Sequence, residues 1–118
     1  MSFIINYSNN QRLYSWDGNY LSSYATSQRL YSFDGQYIVS YANSQRMYTF
    51  DGRYFCLYST SQREFYIDGE FLVRYSNSSR VLKYDGHYVE RYSDNRRILQ
   101  VDGAIPTAIV FAVAAGML

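Results

Sequence analysis

The dipeptide Asp-Gly occurs six times at an unvarying interval of 17 residues: Asp17-Gly18, Asp34-Gly35, Asp51-Gly52, Asp68-Gly69, Asp85-Gly86 and Asp102-Gly103. Between runs of aromatic and β-branched residues this pair specifies a tight hairpin turn. Gly takes positive φ without steric cost, and Asp tolerates it. An unbroken lattice of such turns predicts a tandem array, each unit repeating one supersecondary structure.

Other positions keep the same register. Five residues before each Asp stands an arginine: Arg12, Arg29, Arg46, Arg63, Arg80 and Arg97. Just before the Asp come Trp16, Phe33, Phe50, Ile67, Tyr84 and Val101. Past the turn, Tyr20, Tyr37 and Tyr54 recur at one position and Tyr24, Tyr41 and Tyr58 at another, and Phe3 and Tyr7 carry both series back to the N-terminus. The opposite connections, such as Ala25-Thr26-Ser27-Gln28 and Ala42-Asn43-Ser44-Gln45, are short and polar. Asn, Ser and Thr favour turns there because their side chains hydrogen-bond the local backbone.

The predicted fold class is all-β: tandem 17-residue hairpins in an antiparallel meander of about thirteen short strands, coiled as a solenoid or stacked in an assembly. Closure into a barrel would also remove the sheet edges. An odd period cannot be built from two equal strands and two even turns. Each unit therefore needs an odd turn or a bulge, expected at the Asn/Ser connection or at the Asp-Gly turn. Strict alternation groups Arg29 with Tyr31, Phe33 and Ile38 on one face, and Leu30 with Tyr37, Val39 and Tyr41 on the other.

Two segments are expected, a repeat array over 1–109 and an apolar tail over 110–118. From Ala104 onward the chain carries no charge, and Ile105 and Ile109 still fit the positions of the repeated tyrosines. The tail is expected to be a last strand whose extension caps a sheet face or inserts into a neighbouring subunit. It is too short for a membrane span. The first strand, Phe3-Ile4-Ile5, lacks the charges that protect an exposed edge. Phe3, Ile4 and Ile5, with Val110, Phe111, Val113, Met117 and Leu118, are thus the expected assembly surfaces.

Charge and chemistry narrow the function. Eleven Lys+Arg against ten Asp+Glu in 118 residues leave no uncompensated basic face for nucleic acid. One cysteine, Cys56, excludes a disulfide framework and a Cys-rich zinc site. Each turn offers a single carboxylate, where calcium needs several oxygens together, so the aspartates are expected to be turn formers and no metal or cofactor is expected. No nucleophile elbow, zinc motif or phosphate loop occurs, and one histidine, His87, leaves little for acid–base chemistry. An enzyme is not expected. The repeated arginines are expected to stack on lattice tyrosines.

The stretches Leu30-Tyr31-Ser32-Phe33-Asp34-Gly35-Gln36-Tyr37 and Met47-Tyr48-Thr49-Phe50-Asp51-Gly52-Arg53-Tyr54 resemble the hairpin repeats of choline- and glucan-binding cell-surface proteins. They are also similar to the Tyr-Asp repeats of bacterial shell-forming proteins. The resemblance implies extracellular glycan binding or an encapsulating β-structure. This chain has a shorter period and lacks the Gly-Trp pair of the choline-binding repeats. The expected function is structural self-assembly into a fibre, tube or ring, with a cell-surface glycan-binding module as the alternative. No signal peptide is visible at the N-terminus.

Overall fold

A computed structural model describes residues 1–118. Twelve strands follow one another in chain order before a single helix. They are β1 (Ser2–Asn6), β2 (Arg12–Trp16), β3 (Tyr20–Ser23), β4 (Arg29–Phe33), β5 (Tyr37–Ser40) and β6 (Arg46–Phe50), then β7 (Tyr54–Leu57), β8 (Arg63–Asp68), β9 (Phe71–Arg74), β10 (Arg80–Tyr84), β11 (Tyr88–Arg91) and β12 (Arg97–Asp102). The helix α1 spans Thr107–Ala114. Every strand pairs antiparallel with its neighbours in sequence, and β1 pairs with β12, so the meander closes into a barrel. The ring is squat, 36 × 35 × 18 Å.

Both connections form as their residues dictate. At the Asp-Gly rim the Asp51 carboxylate accepts the amides of Arg53 and Tyr54 at 3.0 and 2.7 Å, while Gly52 has φ +101°. At the opposite rim the chain reverses through one helical turn: the Ser61 amide donates to the Leu57 carbonyl at 2.8 Å. Ser27, Ser44, Ser61 and Ser78 sit there at φ 56–60°, as do Asn10 and Asn95.

The odd residue of each unit lies in a bulge one step past the Asn/Ser connection. Leu21 faces Tyr31 but Ser22 faces Arg29, so Leu30 is the extra residue. The same shift recurs in the other five strand pairs joined by these connections. This corrects the expected assignment of faces. Arg29 and Tyr31, two apart in sequence, would share a face in a regular strand; the bulge sends Arg29 outside and keeps Tyr31 inside.

Inside, one ring holds Ile4, Leu21, Ile38, Phe55, Leu72 and Val89, all fully buried, beside the buried Trp16, Phe33 and Val101. Helix α1 fills the remaining space. Five consecutive residues, Ala108 to Ala112, are buried, and five residues turn through more than a full circle. The segment Ala108–Ala112 is therefore enclosed on every side within the barrel, and Phe111 meets Tyr84 edge to face at 6.1 Å.

The ends of the chain correct two expectations. The sheet has no free edge at Phe3-Ile4-Ile5, because Ile4 pairs with Val101 and Ile5 with Gln100. β1 thereby occupies the place of the strand that would follow Asp102-Gly103. The tail, denied that place, forms a helix instead of a further strand. Inside an apolar lumen only a helix satisfies its own backbone groups. Val110 and Phe111 are buried in their own chain, while Val113, Met117 and Leu118 are half-buried against the same core. Gly116 at φ +75° ends the helix: its amide donates to Val113 O at 3.2 Å and the Met117 amide to Ala112 O at 2.9 Å, a Schellman pair.

The seam is close-packed. The Ala104 amide donates to Ser2 Oγ at 3.0 Å, and a Cβ added at Gly103 would collide with the Ser2 side chain, whereas one at Gly52 would meet nothing. Both glycines have positive φ, so Gly52→Ala should cost about 1–2 kcal/mol from backbone strain alone. Gly103→Ala should cost measurably more in chemical denaturation; equal losses would mean that the seam is looser than described.

The turn carboxylates should make the fold acid-sensitive. Backbone amides hold four of them below the ordinary aspartate range: Asn19 and Tyr20 on Asp17, Tyr37 and Gln36 on Asp34, Tyr54 and Arg53 on Asp51, and Tyr88 and His87 on Asp85. A depressed carboxylate contributes stability that is complete above its unfolded pKa of about 3.9 and lost as pH falls through the folded value. The thermal midpoint should thus hold between pH 5 and 7 and fall below about pH 4. Replacing Asp34 and Asp51 by Asn, which keeps the acceptor oxygen, should flatten that acid limb; an unchanged limb would assign it to other groups.

Candidate functional site: an arginine and tyrosine belt

The outward positions beside the bulges form a belt around the barrel. Each repeated arginine lies over the ring that opens the preceding strand: Arg12 over Phe3, Arg29 over Tyr20, Arg46 over Tyr37, Arg63 over Tyr54, Arg80 over Phe71 and Arg97 over Tyr88, at 4.0–4.2 Å. A second ring, from the following hairpin, flanks each guanidinium at 5.7–6.0 Å. The two rings meet edge to face, as Tyr20 and Tyr41 do at 5.6 Å and Tyr37 and Tyr58 at 6.0 Å. Tyr88 meets Tyr7 at 5.8 Å, so the belt closes across the seam with the sheet.

Stacking on one face leaves the edge of a guanidinium to donate, and Arg63 and Arg97 turn theirs to the hydroxyls of Tyr75 and Tyr7. None of the six pairs with a carboxylate, and the single salt bridge of the chain joins Arg91 to Asp94 at 3.2 Å. The second tyrosines, Tyr7, Tyr24, Tyr41, Tyr58, Tyr75 and Tyr92, are the most exposed aromatic side chains, at 41–48 %. Beside them open shallow depressions. One, of about 440 Å³, is lined by Gln28, Arg29, Leu30, Tyr31, Ser40, Tyr41 and Ala42. Another, of about 510 Å³, is lined by Asn6, Tyr7, Ser8, Arg91, Arg96, Arg97 and Ile98. By lattice position these are copies of one site.

The sequence singles out the arginines and tyrosines of this belt, and the barrel brings them together. It separates them from Ile4, Val110 and Phe111, which lie inside. The turn pairs line the opposite rim, where Asp68 and Asp102 lie exposed and Gly18, Gly35, Gly69 and Gly86 share the positive φ of Gly52. The glutamine that lines the depression was not anticipated, although its signal is plain: Gln11, Gln28, Gln45 and Gln62 each precede a lattice arginine. Cys56 is free and half-buried, and His87 sits exposed in a turn with its amide on Asp85. No three His, Cys, Asp or Glu side chains converge as metal ligands would. No helix is long and apolar enough to cross a membrane. Comparison with protein-family models, curated proteins and solved structures finds no match to this chain.

Each guanidinium over an aromatic ring at an exposed site contributes about 0.5–1 kcal/mol. Arg46→Lys, which removes the planar group, should therefore lower stability by about 0.5 kcal/mol. Thermal denaturation of Arg46→Lys beside Arg96→Lys, which lies over no ring, checks this; equal losses would deny the stacking its role.

Proposed function

We propose that this protein is a multivalent binding ring for carbohydrate polymers. The observation that carries this reading is the repetition of one solvent-open combination: an exposed tyrosine face, a guanidinium held flat beside it and, in most copies, a glutamine amide. Sugars present C–H faces that pack on aromatic rings and hydroxyls that meet planar donors and acceptors, and binding sites combine such apolar surfaces with a few placed polar groups. A depression this shallow would bind one sugar weakly, with Kd of about 1 mM, or roughly −4 kcal/mol. Copies linked on one rigid ring raise avidity by about 10²–10⁴ when a single polymer engages several of them. Cell-surface glycan binding is also what the resemblance to glucan-binding hairpins implies.

Assembly into a fibre or tube through sheet edges and the tail is the weaker reading. The two edges pair with each other, and the apolar core of the tail is spent inside the barrel.

Affinity electrophoresis through gels containing neutral and acidic polysaccharides, with sedimentation of the same sample, tests the proposal. Retardation by at least one polymer is expected, with the Tyr41→Ser and Tyr58→Ser double variant released several-fold more readily at unchanged circular dichroism. Free migration through every polymer, with the protein sedimenting as filaments, would overturn it in favour of assembly.

A further inference from the structure

The copy of the depression at the seam departs from the pattern in one chemical direction. At the connection between β3 and β4 the lining residues are Gln28 and Arg29, facing Ser40, Tyr41 and Ala42. At the seam the equivalents are Arg96 and Arg97, facing Asn6, Tyr7 and Ser8, and Arg91 reaches in as well. Three arginines thus line the seam copy where the copy beside Gln28 holds one, and Arg96 takes the place that a glutamine or serine holds in the other units. We propose that this copy is an oxyanion site, taking a phosphate or sulfate group.

The acceptors around it are already engaged. Asn6 Oδ1 accepts the Ser8 amide at 3.1 Å and the Ser8 hydroxyl at 2.9 Å. Asp94 Oδ1 accepts the Arg96 amide at 3.1 Å, and its Oδ2 meets Arg91 Nη2 at 3.2 Å. Glu90 stands opposite Arg97 across β11 and β12 without forming a salt bridge. The groups left for a ligand are chiefly guanidinium donors, and a ligand met by several donors is one made of acceptors. Arg97, flat on Tyr88 at 4.0 Å and bonded to the Tyr7 hydroxyl, keeps further guanidinium donors for an oxyanion. The site also spans the seam, since Asn6 ends β1 with Tyr7 and Ser8 just beyond it, while Arg91 ends β11 and Arg97 opens β12. An anion held there ties the two ends of the barrel together, so its binding should raise the thermal midpoint.

The site is independent of the saccharide reading, because inorganic anions probe it alone. Sodium sulfate and sodium phosphate are titrated at constant ionic strength, against chloride, with thermal midpoint and arginine side-chain NMR as readouts. A saturable response at low-millimolar anion is expected. Arg96→Gln, which restores the residue of four other units, should weaken it at least tenfold with unchanged circular dichroism, while Arg53→Gln should leave it as in the parent. A non-saturating response equal to that of chloride, or an Arg96→Gln variant indistinguishable from the parent, would overturn the site. A sulfated oligosaccharide binding more tightly than free sulfate would assign the group to an ester on a larger ligand; equal affinity would assign it to the free ion.

Discussion

The backbone ladder between β1 and β12 governs the rest of this structure. A repeat array with two open edges invites addition of further strands. Here the first strand completes the last hairpin in the register used by every other unit, Ile4 against Val101 as Leu21 stands against Trp16. Three consequences follow. The sheet has no edge, the lumen must be filled, and the segment after Asp102-Gly103 has no ladder left to join. The helix answers the second and third together, being apolar on all sides and self-sufficient in backbone hydrogen bonds.

The bulge beside each Asn/Ser connection is the second organising device. It absorbs the odd residue of the period and moves each arginine to the face opposite the ring two residues away. The barrel can then be apolar within and carry a continuous belt of stacked guanidiniums and phenol rings without. That division gives the outside its chemistry, since a regular strand would have pushed the arginines into the core.

Much of this was legible in the residues, for reasons that can be named. The hairpins were legible because Asp-Gly is local chemistry, and arginine stacking because the lattice keeps each arginine near the same rings. Parity demanded an irregularity without locating it, since Leu30, Met47 and Glu64 occupy the bulge with no shared side-chain signal. Closure depends on the number of units and the curvature of the whole sheet, which no single unit encodes. The helix announced itself in Pro106, an alanine-rich run and Gly116, but Ile105 and Ile109 also matched the strand lattice and hid it. The depressions beside the belt were invisible because they form between residues of successive units only once the faces are known.

Hydrogen exchange at single amides tests closure most directly, because the amides of β1 and β12 that face each other are protected only if the two strands pair. The closed barrel predicts that the β1 and β12 amides at the seam exchange as slowly as those shared by β6 and β7, in a sample sedimenting as a 13.9 kDa monomer. Rapid exchange at the seam-facing amides of both strands, with slow exchange at those facing β2 and β11, would show an open array and contradict the account.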